Sequence, residues 1–141
     1  MPDGERALQL SQLNLTERAG RKTCLQFHRT LLKVRREDPV FAAQNAADLR
    51  GVVLSDTALA LRYLGPNQEG DRLILLNLGR ELQLSPCPHP LLAPPPRRQH
   101  WVPMLSSEEV RFGGSGATYP GMEGDWRLSD STAVVMKSVT A

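Results

Sequence analysis

From about residue 50 to its end, the sequence alternates short apolar runs with clusters of turn residues and keeps no helical repeat. In "TALALRYLG" (57–65), Leu59, Leu61 and Tyr63 alternate with Ala58, Ala60 and Arg62, the period of two expected of a half-buried strand. "GPNQEGD" (65–71) is a turn cluster, and "RLILLNLG" (72–79) is almost continuously apolar, as a central strand is. Further strands are predicted at "GVVLS" (51–55), "ELQLS" (81–85), "QHWVPMLSS" (99–107), "WRL" (126–128) and "STAVVMKSV" (131–139). Short strands with irregular turns predict a mainly β fold, specifically an antiparallel β-sandwich. "PCPHPLLAPPP" (86–96) holds six of the 11 prolines. Such a run cannot donate to a ladder, so it predicts a stiff extended connection between strands.

One long amphipathic helix precedes these strands. In "CLQFHRTLLKVRREDP" the residues Cys24, Phe27, Leu31 and Val34 fall three and four apart and form one stripe. Asn14 or Thr16 is suited to cap its start, and Glu17 to its first turn. Lys33, Arg35 and Arg36 suit the negative end of the helix dipole, and Asp38-Pro39 should stop it. The chain therefore divides into a lead-in segment over 1–16, a helix over 17–38 and a β domain over 50–141. A stripe of this kind must lie against another surface.

The composition narrows the function. Net charge is +2, and 14 of the 17 basic residues are Arg. The helix dipole accounts for much of the basic cluster at 33–36, and no base-reading motif accompanies it, so no nucleic-acid partner is expected. No apolar run reaches the roughly 18 residues of a membrane span, and "MPDGERALQL" lacks the pattern of a signal peptide. A soluble, cytoplasmic protein is expected, with no membrane partner. Cys24 and Cys87 are the only cysteines. Neither their spacing nor the single "CPH" cluster offers the four ligands of a metal site, so no metal and no cofactor is expected.

Three segments invite an enzymatic reading. "FGGSGATYPG" (112–121) has glycines but lacks the Lys-Ser/Thr of a phosphate loop and a following helix. Glu108 and Glu109 are adjacent, whereas glycoside cleavage needs two carboxylates about 5–10 Å apart across a cleft. His28, His89 and His100 sit in no nucleophile elbow. Trp101 is expected in the core. Trp126 and Tyr119 flank a loop and are candidates for contact with a sugar ring.

The order of these pieces resembles the C-terminal portion of α-amylase-superfamily glycoside hydrolases, most closely the malto-oligosyltrehalose trehalohydrolase branch. "LSQLNLTE" is similar to the lead-in to the last barrel helix, and "LQFHRTLLKVRREDPVF" to that helix with its Arg-Arg-x-x-Pro ending. "LALRYLGPNQEGDRLILLNLGRELQL" resembles the first hairpin of the domain that follows the barrel. "LLAPPPRRQHWVPMLSSEEVRFGGSG" and "WRLSDSTAVVM" resemble its closing half. The likeness covers about residues 10–136. The helix motif is shared by many amylase relatives, while "SSEEVRFGGSG" is more particular to the trehalohydrolase branch.

The resemblance implies that the helix is the last of a (β/α)₈ barrel, with Cys24, Phe27, Leu31 and Val34 facing barrel strands. It implies a family that hydrolyses an α-1,4 bond beside a terminal trehalose unit, in trehalose biosynthesis from maltooligosaccharides. The catalytic carboxylates of that family lie on earlier barrel strands, which this sequence lacks. No catalytic residue carries over, and the chain alone is expected to be inactive. It is expected to be a truncated product or part of a longer enzyme, whose partner is a catalytic barrel of the same or a separately encoded polypeptide. A free-standing module that binds maltooligosaccharide or another protein is the alternative.

Overall fold

A computed structural model describes residues 4–12, 20–66, 70–84, 89–95, 98–121 and 125–141. Seven strands are found among them: β1 (Leu49–Ser55), β2 (Ala58–Tyr63), β3 (Arg72–Asn77), β4 (Leu82–Gln83), β5 (Gln99–Ser106), β6 (Arg127–Leu128) and β7 (Thr132–Thr140). Each overlaps a stretch in which the sequence predicts a strand. Five form one antiparallel sheet in the order β1-β2-β3-β7-β5, and β4 and β6 form a separate two-stranded ribbon. The mainly β expectation therefore holds.

Alternation along a strand gives two faces without saying which is inner. On the first face the register aligns Ala60 with Leu75 and Leu75 with Val134, and Leu73 with Met136. These side chains are buried and form one cluster with Trp101, Leu92, and Leu84, Trp126 and Leu128 from in and around the ribbon. Each fully buried aliphatic side chain contributes about 1.5–3 kcal/mol, so this face is where most of the stability lies. The opposite face presents Leu59, Leu61 and Tyr63 from β2, Ile74 from β3 and Val135 from β7. The almost unbroken apolar run of β3 has this origin, because both of its faces meet apolar neighbours.

Among the described residues, three helices come first. Residues expected to be a lead-in segment contain α1 (Gly4–Ser11). Arg6, Ala7, Leu8, Gln9 and Leu10 are all good helix formers, and intrinsic propensity rather than an apolar stripe marks this helix of about two turns. The long helix, α2, is described over Lys22–Glu37, with Arg21 before it giving no side-chain cap. The caps suggested at Asn14 and Thr16 lie outside the described residues.

Helix α2 stops at Asp38, whose backbone is extended, and α3 (Pro39–Ala42) starts at once. Pro39 fits the first helical position because its missing N–H has no partner to lose there. The Asp38 Oδ1 accepts the N–H groups of Val40 and Phe41. Its Oδ2 is 2.9 Å from Arg72 of β3, an ion pair largely shielded from solvent that ties the helices to the sheet.

The proline-rich run departs from the stiff extended connection predicted for it. Pro90–Leu92 is a 3₁₀ turn, opened by His89, whose Nδ1 accepts the Leu91 N–H. Leu92 is fully buried, and its carbonyl accepts the indole N–H of Trp101 at 2.8 Å. The proline at its first position supports such a turn, so the segment dips into the core instead of bridging over it. Cys87 lies outside the described residues.

Candidate functional site

The seam between α2 and the second face of the sheet holds a concavity. Leu31, Val34 and Arg35 come from α2, and Phe41 and Gln44 from α3 and the turn after it. Leu49, Tyr63, Ile74, Leu105 and Val135 of the sheet face them across a cavity of about 550 Å³. Phe41 and Tyr63 meet edge to face at 5.1 Å. At the other end of the seam, Phe27 lies 5.0 Å from Phe112, in the loop after β5.

The stripe read from sequence thus divides. Leu31 and Val34 turn at least partly toward this chain's own sheet and Phe27 toward Phe112 in the loop after β5, while Cys24 is exposed and close to His28, with Sγ 3.7 Å from Nδ1. The expectation that the whole stripe faces strands outside the chain is corrected to that extent. The alternation that makes a strand also makes a second apolar face, and α2 lies over it. The covering is loose. Among its residues none is buried, and Leu31 and Leu32 remain 37% and 59% exposed. Sequence reasoning found Leu31 and Val34. It missed Phe41, Tyr63, Ile74 and Leu105, although the doubly apolar β3 signalled that a second layer covers the sheet.

The two aromatic candidates for sugar contact are placed differently from expectation. Trp126 does not stand out from a loop; it is 8% exposed and packs in the core cluster. Its indole lies against Gly121, where any side chain would collide with the ring. Its carbonyl accepts the Leu84 N–H, fixing it beside the ribbon. Tyr119 is half-buried against the same cluster, with its hydroxyl 3.4 Å from Glu109 Oε1. Trp126 does border a shallow pocket of about 310 Å³, together with Trp101, His100 and Pro94. Tyr119 does not line it.

The glycine loop folds on itself. Glu109 Oε1 accepts the Ser106 N–H at 2.9 Å, and its Oε2 pairs with Arg111 at 2.6 Å. Burial pushes the Glu109 carboxyl upward, but the Ser106 N–H and the Arg111 guanidinium outweigh it and leave the pKa below the ordinary carboxylate value. Burial and the Glu109 charge together raise the pKa of Tyr119. The Gly116 N–H reaches the Glu108 carbonyl, and Gly114 packs so closely on Glu108 that a side chain there would collide with its backbone. Both glutamates are thus held by this loop's own turns. Among the described residues no group of three or more His, Cys, Asp and Glu side chains is placed to hold a metal ion. No helix among them is long and apolar enough to cross a membrane.

Against known proteins, the chain matches no protein-family model, no curated protein and no solved structure.

Proposed function

We propose that this chain is the C-terminal structural part of a glycoside hydrolase of the α-amylase superfamily, of the malto-oligosyltrehalose trehalohydrolase kind. In this reading α2 is the last helix of a catalytic (β/α)₈ barrel, supplied by the same or a separate polypeptide. The five-stranded sheet with its ribbon is the small β-sandwich that follows such a barrel. The role is to cover one flank of the barrel and hold its last helix, with the chemistry on the barrel and the whole in the cytoplasm.

One observation carries the proposal: α2 is a sixteen-residue amphipathic helix with no buried residue. An isolated helix of that length is marginal in water, and tertiary burial is what normally stabilises it. Leu8 and Leu10 of α1 add to the exposed apolar surface, at 63% and 80%. The order of helix, hairpin and closing strands, with the segments quoted above, supports a barrel of that superfamily as the partner.

A trehalohydrolase barrel produced without its own C-terminal segment is the test partner. Mixed with this chain, it should co-elute and release trehalose from maltooligosyltrehalose faster than the barrel alone; the chain alone should release none. Separate elution, together with upstream coding DNA that encodes no barrel strands, would overturn the proposal.

A second reading, a maltooligosaccharide-binding module, is favoured by the pocket that Trp101 and Trp126 share with His100. Filling it should change tryptophan emission. A flat titration up to millimolar maltooligosaccharide removes this reading.

A further inference from the structure

The cavity beneath α2 raises a question separate from what docks on the outside of that helix. Leu32, the helix leucine left most exposed, does not line it. A partner seated on the outer surface therefore leaves the cavity to be filled by something else.

Its volume of about 550 Å³ lies within the roughly 300–1,000 Å³ of small-molecule sites, which pair an apolar lining with a few polar groups. Water needs two to four polar partners. Leu105, Ile74 and Val135 of the sheet and Val34 of the helix offer none on their side chains, although Arg35, Gln44, Asn45 and Tyr63 also line the cavity. Left empty, the lining forfeits dispersion contacts across the gap.

The charge at this site is one-sided. Arg35 lines the cavity, and no acidic residue does. Among the described neighbouring acids, Asp38 pairs with Arg72, Glu37 with Lys33 at 3.8 Å, and Asp48 accepts from the side chain of Asn45, itself in the lining. Arg35 makes no ion pair or hydrogen bond among the described residues, so its guanidinium is available at the edge of an apolar cavity. Its fork of N–H donors matches a carboxylate.

We infer that the cavity between α2 and the sheet binds a single-chain carboxylate amphiphile, its alkyl chain against Ile74, Leu105 and Val135 and its head group on Arg35. This goes beyond the docking reading and does not need a barrel.

Dodecanoate titrated into the purified chain below its micelle concentration, followed by calorimetry, is the test. One molecule should bind per chain, with micromolar affinity. The neutral alcohol of the same length and the Arg35→Gln variant with dodecanoate should each bind about fivefold more weakly, the worth of a partly exposed ion pair. Ile74→Trp fills the cavity from the sheet and should abolish binding. Leu31→Trp fills it from the helix, where the fold does not depend on the substituted side chain, and should do the same. No saturable binding to the unmodified chain overturns the inference outright. Unchanged binding to Leu31→Trp overturns the location, and equal affinity for acid and alcohol overturns the role of Arg35. Many-site uptake that unfolds the chain counts as detergent action and also overturns it.

Discussion

Arg62 stands on the inner face of β2, opposite Leu73 and in line with Ala58 and Ala60. Its guanidinium donates to Asp71 at 2.8 Å and to the carbonyls of Leu91 and Ala93, and it lies 5.3 Å from the centre of the Trp101 ring. Asp71, almost fully buried, also accepts the Gly65 N–H. Desolvating two charges is costly, and a pair stays buried only when its hydrogen bonds are met. Asp71→Ala strands the guanidinium, and urea unfolding should show a loss of about 3–5 kcal/mol, whereas replacing both residues by apolar ones should cost less. The alternation of 57–65 already placed Arg62 on one face with two alanines. Its partners were not legible, because two of them come from a proline-rich turn that sequence read as extended, about thirty residues away. Glu109 makes a smaller contribution with a definite sign. Its folded pKa lies below the unfolded value, so its stabilisation is present above the unfolded pKa and fades as pH falls through the folded one. Glu109→Gln should flatten the acid limb of a stability–pH curve by lowering its neutral region, and leave the region below the folded pKa nearly unchanged.

At the scale of elements, Asp38 joins three of them. It ends α2, caps α3 with one oxygen and pairs with Arg72 of β3 through the other. Asp38→Ala removes a cap and leaves Arg72 without its carboxylate, a loss of at least about 2 kcal/mol. The loss should be local. Hydrogen exchange should quicken across Lys22–Ala42 while β2, β3 and β7, held by the core on their other face, keep their protection. Equal quickening in helix and sheet would mean that the two open together and that the seam is no weaker than the core. The strands of the five-stranded sheet were legible because an alternation or an apolar run extends over five or more residues of each. Helix α1 was not, since Leu8 and Leu10 give no stripe at helical spacing. Trp126 was misplaced for a related reason. A loop residue next to a two-residue strand carries too little pattern to show which way it points, and its burial depends on Gly121 and Leu84 arriving from elsewhere.

The whole molecule has two unequal halves on either side of one sheet. The core face is closed by the ribbon and the Pro90–Leu92 turn, with Leu73, Leu75, Leu92, Leu128 and Met136 fully buried. The helix face is tied by one largely shielded ion pair and an aromatic contact at each end of the seam, around a cavity. The stripe on α2 was legible as half of this surface. The cavity was not, because it exists only where a helix and a sheet well separated in the chain fail to close on each other. This asymmetry makes opposite demands on two substitutions. Met136→Ala empties the tight side and should cost about 2–5 kcal/mol. Leu32→Glu alters only the exposed side of α2, so the chain's own stability should stay within about 0.5 kcal/mol. If α2 docks on a barrel, that same Leu32→Glu substitution places a charge in an apolar interface and should abolish co-elution with the truncated barrel. If α2 needs no partner, it should change neither quantity. Thermal melting of the chain alone and co-elution with the barrel, measured on the one variant, therefore separate a helix finished by its own sheet from one that still requires a second surface.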